Sequence, residues 1–316
     1  MKKVAVVGGS GNLGREVIDE ILARGFYEVV ILSRGAEVAD LPKGIAWRQV
    51  DYDDEPALVD AMKDIDTVLS FLAIFNTNVA FELHKKLINA AIEAGVRRFA
   101  PSEWATGWFS ASNSGVAHYE YKDDVRKYLE EVNSNQRNIE YCLFQPGFFT
   151  DYFGHPHATT KHFGTFYMFA DFQNCRAIIS EDGDAPITLT TVRDMSRLVA
   201  QALEYNGVWP IVGGMQGTVT TVSGLIALGE KLRGPFKIEK ISNEALETRN
   251  ITTSWYPVVE HHGVPKEMRE QVSKGVLVEY VAGLKRGVWT VSNEWNKLLP
   301  NFEFTSAEGY LKGIWS

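Results

Sequence analysis

Short apolar runs alternate with longer amphipathic stretches through the first half of the chain. Six runs have the length and composition of buried strands: VAVVGG, VVILSR, WRQVDY, TVLSFLA, RRFAPS and EYCLFQPG. Between them, segments such as GREVIDEILARG and AFELHKKLINAAIEAG place apolar residues at the spacing of an amphipathic helix. Because parallel strands need crossover connections, this alternation predicts an α/β fold, a Rossmann-type doubly wound parallel sheet covered on both faces.

The pattern changes after Phe149. Aromatic and glycine-containing loops come first, and ITLTTVRDMSRLVAQALEY then indicates a strand that leads into a helix. From about Gly213 onward, VSGLIALGEKL and KEMREQVSKGVLVEYVAGL predict helices, and the strand content is low. We therefore predict a Rossmann domain over residues 1–154, to which 186–212 returns, and a smaller, mostly helical substrate-binding domain over 155–316.

The charge and hydropathy of the chain narrow the function classes. Its 316 residues include 32 Lys and Arg against 40 Asp and Glu, a formal net charge of -8. No basic run offers an electrostatic footprint for direct nucleic-acid binding. No window reaches the roughly 18 apolar residues of a membrane span. We expect a cytoplasmic monomer or homodimer whose partner is a small molecule.

Neither the cysteines nor the histidines have the spacing of a metal site. Cys142 and Cys175 lack a CxxC pattern, which favours two packed thiols in a reducing compartment. His155, His157 and His162, in HPHATTKH, match no common zinc spacing. We predict no metal and interpret the histidine segment as a loop that lines a cleft.

A glycine-rich turn, GGSGNLG at residues 8–14, directly follows the first predicted strand and opens a helix. Such a turn lets backbone N–H groups approach a pyrophosphate at the positive end of the helix. The alternative is a tight strand-to-helix turn with no ligand, but the strand before it and the helix after it favour the dinucleotide. The predicted cofactor-binding residues here are Gly8, Ser10, Gly11, Asn12, Leu13 and Gly14.

The second predicted strand ends in Ser33-Arg34, where an NAD-selective protein would usually present an acidic residue to the ribose diol. An arginine there can pair with a 2'-phosphate, which favours NADP(H) as the cofactor, although a solvated loop arginine is the alternative. Asp51, Tyr52 and Phe71 also follow strands, at the edge where open sheets bind ligands. They either flank the adenine or begin loops.

The segment HYEYKDDVRKYL, residues 118–129, predicts an amphipathic helix with a lysine near its apolar face. One arc holds Tyr121, Val125, Tyr128, Leu129 and Val132. Lys122 lies at the border of this arc and His118 just inside its edge. Desolvation lowers a lysine pKa, as a general acid or base near neutral pH requires, whereas an ordinary snorkelling lysine is the alternative.

Aromatic residues cluster after the sixth predicted strand, in PGFFTDYFGH at residues 146–155. They either form an apolar pocket for a ring system beside the nicotinamide or pack the two domains together. Pro146 and Phe148 are candidates for the cofactor. The candidates for the substrate are Trp104, Phe149, Tyr152, Phe153 and Trp255, and Trp108 carries the same ambiguity. Ser102 and Glu103 end the fifth strand, where they orient cofactor or substrate or cap a turn.

Several motifs in order resemble the isoflavone reductase-like and NmrA-like branch of atypical short-chain dehydrogenases. They are GGSGNLGREV, RRFAPSEW, YKDDVRKYLEE, FQPGFFTDYFG, TTVRDMSRLV and the late FTSAEGYLKG. The resemblance covers nearly the whole chain. It implies that Lys122 is the general acid/base, that the three glycines cradle the phosphates of NADP and that Arg34 meets its 2'-phosphate.

The chain also departs from those reductases. Members from plant phenolic metabolism typically read PSEFG, whereas this sequence reads PSEWATGW and has a different loop before the lysine helix, so their substrates do not carry over. Ordinary short-chain dehydrogenases use Y-x-x-x-K, and here His118 and Lys122 form H-x-x-x-K. Either Lys122 alone relays the proton, which we favour, or His118 serves as the acid beside it.

Together these features predict an NADPH-dependent reductase. Its substrate would be an aromatic or polycyclic secondary metabolite with a C=O, C=N or conjugated C=C bond. Two alternatives keep the fold: a non-redox cyclase or isomerase, and a non-catalytic regulator that senses NADP.

Overall fold

A six-stranded parallel sheet forms the first part of the molecule in the computed structural model, which describes residues 1–37, 41–74, 76–107, 116–259 and 266–316 and omits the side chain of His118. The strands are β1 Lys2–Val7, β2 Tyr27–Ser33, β3 Ile45–Gln49, β4 Thr67–Ser70, β5 Arg98–Ala100 and β6 Glu140–Tyr141. Their order is β3-β2-β1-β4-β5-β6. The order reverses between β1 and β4, so the carboxyl ends of these two strands flank the crevice where open sheets bind ligands.

Helices cover both faces of this sheet. They are α1 Asn12–Arg24, α2 Glu55–Asp60, α3 Thr77–Glu93 and α4 Glu120–Val132. Val4 and Val6 of β1 share a buried cluster with α1, and Ala5 and Val7 share another with α3. Alternate residues of a strand point to opposite faces, so both faces of β1 are buried. The predicted doubly wound α/β fold is confirmed.

Residues 186–212 contain β11 Pro186–Thr190 and α5 Val192–Leu203, and β12 Val212–Gly214 begins at their end. Helix α5 packs against α1 in one cluster, and Arg24 forms an ion pair with Glu204. Strand β12 pairs in parallel with β7, Leu143–Gln145. The predicted strand EYCLFQPG is therefore two strands, because the chain leaves β5 after Tyr141 and pairs with β12 from Leu143.

The second part of the chain adds small sheets and more helices. Its strands form the sheets β13-β11-β8 and β14-β10-β9, with β8 Phe148–Phe149, β9 Ala170–Asp171, β10 Arg176–Ser180, β13 Thr218–Thr221 and β14 Lys237–Ile241. Its further helices are α6 Val222–Arg233, α7 Asn243–Glu247, α8 Arg269–Lys285, α9 Glu294–Leu298 and α10 Ala307–Trp315. Short 3-10 helices span Ala117–Tyr119, Thr150–Gly154 and Lys266–Met268. Strand β14 gave no apolar pattern in the sequence because most of its side chains are exposed.

In the described residues of this second part, helices contain more residues than strands do. The boundaries predicted for the two domains stay a prediction. No helix in the described ranges has the length and apolar composition that a membrane span requires. Nor do three His, Cys, Asp or Glu side chains of the described residues converge as ligands for a metal ion. Cys142 and Cys175 are both free thiols.

Candidate active site

The glycine turn is held tightly by backbone contacts. Gly8 has a φ of +77°, and a Cβ there would lie 3.0 Å from the Phe71 backbone. A Cβ on Gly14 would lie 2.7 Å from the carbonyl oxygen of Gly8. The Gly11 N–H donates to the Gly8 carbonyl oxygen at 3.0 Å, which closes the turn. Side chains at positions 8 and 14 would therefore push the turn apart.

This turn fits the pyrophosphate of a dinucleotide. Helix α1 begins after Gly11 without a side-chain cap, so no capping side chain occupies its first N–H groups, and its first residues line the cleft. The helix dipole adds partial positive charge at the same end. Gly8, Ser10, Gly11, Asn12, Leu13 and Gly14 all line the cleft described next.

One cleft of about 700 Å³ runs from the glycine turn to the second part of the chain. Phe71 and Trp104 line its middle, and Lys122 lies beyond them. Phe148, Phe149 and Tyr152, which the sequence assigned to cofactor or substrate, line the far side. The cleft therefore brings together the predicted phosphate turn, the predicted acid/base and much of the predicted aromatic pocket.

The amine of Lys122 is buried in the wall of this cleft. The residue is 6% exposed, its Nζ donates to the carbonyl oxygen of Glu103, and the ammonium lies 4.1 Å from the centroid of the Tyr119 ring. Burial lowers the pKa of Lys122 to about 8, while the Glu103 charge opposes this shift and the Arg126 charge adds to it. Lys122 can thus exchange a proton close to neutral pH.

Glu103 does not form an ion pair with this lysine. Its two carboxylate oxygens accept hydrogen bonds from Arg126, from Nε at 2.9 Å and from Nη2 at 2.6 Å, and both residues are buried. Arg126 also contacts Asp123, with an Nη1 to Oδ1 distance of 3.1 Å. The Glu103 carboxylate, whose charge acts on Lys122, is therefore bound to a guanidinium group.

Aromatic rings from both parts of the chain line the far end of the cleft. The ring of Tyr280, on α8, stacks on Trp289 with centroids 5.2 Å apart. The Tyr280 hydroxyl is hydrogen-bonded to that of Tyr119, and burial raises the pKa of both phenols. Phe148 packs against both Tyr280 and Trp289. The result is an aromatic pocket with two phenol hydroxyl groups at the same end of the cleft as the lysine.

The middle of the cleft carries a stack of rings. Trp104 lies parallel to Phe71, with centroids 4.3 Å apart, and to Phe144 at 5.5 Å. Trp104 has a φ of 39°, a left-handed conformation that is uncommon for a bulky residue, and its indole N–H donates to the Ser70 carbonyl oxygen at 2.6 Å. The stack fixes the floor between the glycine turn and Lys122.

Three residues that were predicted to contact the 2'-phosphate or the adenine of the cofactor do not line the cleft. Arg34 is exposed, and its guanidinium carbon lies 5.8 Å from the centroid of the Tyr52 ring. Tyr52 is buried and donates to the Leu32 carbonyl oxygen at 2.8 Å. The Asp51 carboxylate accepts from the Asp53 N–H at 3.0 Å. Arg34 is therefore available to a cofactor phosphate, whereas Tyr52 and Asp51 make contacts that stabilise the loop.

Other predicted residues are placed away from the lining. Phe153 is buried behind Phe148, with ring centroids 5.4 Å apart. Trp255 lies in the core of the second part, under the guanidinium group of Arg176. Pro146 is buried next to the lining residue Gly147. Trp108 and the side chain of His118 lie outside the described residues, so the role proposed for His118 stays a prediction.

Sequence reasoning missed several lining residues. They are Tyr119, Phe163, Phe166, Tyr280 and Trp289. Tyr280 gave one usable signal, because it lies three and four residues from Leu277 and Leu284 on the apolar face of α8 and carries a polar tip. Nothing local in the sequence joins Tyr280 to Tyr119, because the two are far apart along the chain.

Comparisons of the sequence and of the fold with known proteins find a matching family model and similar proteins. The NmrA-like family model matches residues 1–311. An oxidoreductase, swnN of Metarhizium robertsii, is 26% identical over 100% of this chain and 98% of its own. The crystal structure of an isoflavone reductase superposes with a TM-score of 0.69 at 18% identity, over 99% of both chains. A structure of AtPrR2 with NADP+ and (+)-pinoresinol gives 0.67 at 21% identity, over 99% of this chain and 98% of that one. The resemblance inferred from the motifs is confirmed: the chain belongs to the NmrA-like family.

Proposed function

We propose that the protein is an NADPH-dependent reductase of an aromatic or polycyclic metabolite, with Lys122 as its general acid. The observation that carries this proposal is the position of the Lys122 amine. It is buried in the cleft wall between a dinucleotide-type glycine turn and a pocket of aromatic rings. A lysine kept only for solubility would not be placed there.

The chain's own residues provide the binding site for the cofactor. Gly8, Gly11 and Gly14 bring backbone N–H groups to its phosphates, and Arg34 would pair with the 2'-phosphate. Relatives support this choice of cofactor, since the solved structure of AtPrR2 contains NADP+. When bound, the reduced nicotinamide supplies a hydride to an electron-poor carbon of the substrate.

Lys122 supplies the proton that completes the reduction. The ammonium form donates to the substrate heteroatom on which negative charge develops, and the Glu103 carbonyl oxygen holds the amine in place. The donor must be protonated, so the reduction rate should fall as the pH rises through the pKa of Lys122, about 8.

The shape of the far pocket favours a flat apolar substrate. Phe148, Phe166 and Trp289 offer ring faces, and the hydroxyls of Tyr119 and Tyr280 offer hydrogen bonds to an oxygen substituent. Aromatic rings stack in offset or edge-to-face arrangements that suit such a lining. An aromatic ketone, imine or enone is the class of substrate that we propose.

The test combines cofactor binding with turnover. Calorimetry measures NADPH binding to the wild type, Lys122→Met and Lys127→Met, and NADPH consumption is then followed with a panel of aromatic ketones, imines and enones. Lys127 is the matched control, because it lies on the same helix with its side chain 76% exposed. We expect all three proteins to bind NADPH with similar affinity. Turnover by Lys122→Met should be lower by about 10²- to 10⁴-fold, the usual contribution of a general acid.

Other outcomes would overturn the proposal at identifiable points. NADPH binding without turnover on any substrate would favour a dinucleotide sensor or a non-redox enzyme. Equal turnover by Lys122→Met and the wild type would remove the lysine from the chemistry. Absence of NADPH binding would refute the reductase itself.

A further inference from the structure

A buried three-residue arrangement lies directly behind the cleft surface. Lys122 and Arg126 are one helical turn apart on α4, so both reach the same face of the helix. Each contacts a different part of Glu103: Lys122 contacts its backbone carbonyl oxygen and Arg126 its carboxylate. The three residues are 6%, 6% and 2% exposed, in the order Lys122, Arg126, Glu103.

Resting on the function proposed above, we propose that Glu103 and Arg126 are positioning residues for Lys122. The Glu103 carbonyl oxygen holds the amine at the cleft wall. Arg126 binds the Glu103 carboxylate so that it does not form an ion pair with that amine.

The physical reason is the strength of a buried ion pair. If the Glu103 carboxylate were not held by Arg126, it would be a negative charge close to the Lys122 amine in a poorly solvated site. An opposite charge within about 4–6 Å favours the charged form and raises the pKa of a lysine by about 1–3 pH units. The amine would then stay protonated and donate its proton poorly near neutral pH. Arg126 offsets this effect, because its positive charge lowers the Lys122 pKa and its bidentate hydrogen bond directs two guanidinium N–H groups at the Glu103 carboxylate oxygens.

The described titratable groups around the amine are phenols, one imidazole and a paired carboxylate. Tyr119, whose ring lies against the ammonium, and Tyr121 and Tyr280 are phenols whose pKa burial raises well above neutral. His84, on α3, lies behind Ser102, and burial lowers its pKa to about 4. Asp123 is paired with Arg126. Among the side chains that the structure describes at this wall, which do not include that of His118, we assign a proton that titrates near pH 8 to Lys122.

Two substitutions should move the Lys122 pKa in opposite directions. Arg126→Met leaves the Glu103 carboxylate without its guanidinium partner, so the pKa should rise by about 1 pH unit or more. Glu103→Gln keeps the carbonyl contact and the shape of the side chain but removes the negative charge that raises the Lys122 pKa, while the positive charge of Arg126 remains, so the pKa should fall by about 1 pH unit. The double variant carries neither charge, and its pKa should return toward that of the wild type. Arg126→Lys, which keeps the positive charge, should rescue most of the shift.

The measurement is an NMR titration of the protein labelled with 13C at the lysine ε carbon. The Lys122 signal is assigned from its loss in Lys122→Met, and Lys127 on the exposed face of the same helix is the internal reference. Breaking a buried pair can be strongly destabilising, so NADPH binding first establishes that each variant is folded. Either single variant tests the proposal, because each has its own predicted sign.

Opposite shifts that cancel in the double variant would support the proposal even if no substrate were ever found. Shifts below about 0.3 pH unit in a folded single variant, against the roughly 1 unit expected from a nearby charge, would overturn it. That result would leave the reductase proposal intact if the wild type turned over substrate. With a substrate in hand, the alkaline limb of the kcat/KM profile should move in the same directions, which a purely structural role would not produce.

Discussion

Two walls of the cleft differ in the atoms through which they act: one uses its backbone and the other mainly its side chains. One wall, called here the glycine wall, consists of Gly8, Gly11 and Gly14 and binds through its backbone. The wall farther along the cleft, called the lysine wall, consists of Lys122, Tyr119, Glu103 and Tyr280, and acts mainly through side chains, with the Glu103 carbonyl oxygen holding the amine. The glycine wall lies within seven consecutive residues, 8–14, whereas the lysine wall needs α4 with the 3-10 helix before it, α8 and the loop after β5 to meet. Backbone sites are encoded locally, and side-chain sites depend on the packing of distant segments.

The buried imidazole of His84 supports the lysine wall. The change of its charge with pH should have the largest effect on folding stability among our predictions. Nδ1 of His84 lies 2.7 Å from the Ala80 carbonyl oxygen, so it carries the proton, and Nε2 accepts from the Ser102 N–H. Burial lowers the His84 pKa from 6.5 to about 4. The unfolded chain therefore takes up a proton between pH 6.5 and 4 that the folded protein refuses. Folding stability falls over this window by about 3 kcal/mol from this group alone.

His84→Gln should remove this part of the acid sensitivity. The free energy of unfolding, measured by urea titration at several pH values, should depend less steeply on pH between 6.5 and 4 than in the wild type. His157→Gln, at an exposed histidine, is the control and should leave the slope unchanged. An identical slope in His84→Gln would mean that the imidazole is not held neutral.

The glycine wall can be tested by adding a side chain. Gly14→Val would place a Cβ 2.7 Å from the Gly8 carbonyl oxygen, so the turn must shift. Overpacking of this kind costs about 1–3 kcal/mol, which corresponds to a rise in the Kd for NADPH of roughly five- to 150-fold. Calorimetry should show this loss, and Gly275→Ala, where a Cβ meets no atom within 4 Å, should bind as the wild type does. An unchanged Kd in Gly14→Val would show that the phosphates do not lie on this turn.

These two tests also mark how far the sequence could predict the site. The parallel sheet and the glycine turn were predictable, because strand, turn and helix signals lie within a few residues of one another. Lys122 was predictable as a helix-border residue, but its burial depends on Glu103 and Tyr119, whose positions only the packed structure provides. Trp255 was predicted to contact the substrate but lies in the core of the second part. Residue type alone did not distinguish an aromatic residue of the pocket from one of the core.

We expect the selectivity for NADPH over NADH to depend on Arg34, one exposed side chain at the edge of the glycine wall. This differs from the lysine wall, where several buried residues act together. Arg34→Asp replaces a cation that would pair with the 2'-phosphate by an anion that repels it. We expect the ratio of the NADH to NADPH dissociation constants to fall by about tenfold, equivalent to about 1.4 kcal/mol. Arg193→Asp makes the same charge change at an exposed position on α5 and is the control. A ratio that matches the wild type would remove Arg34 from this role.

The smallest expected effect concerns Tyr280 of the lysine wall. This residue joins the two parts of the chain through its contact with Tyr119. Tyr280→Phe keeps the ring that stacks on Trp289 but removes the hydroxyl that is hydrogen-bonded to Tyr119. A hydrogen bond of this kind contributes about 1 kcal/mol, so KM for the best substrate should rise by about fivefold with kcat nearly unchanged. Tyr256→Phe, which also removes one phenol from the second part, is the control. A loss of unfolding free energy with unchanged KM would make the tyrosine pair a packing contact within the lysine wall, and the ring faces alone would then recognise the substrate.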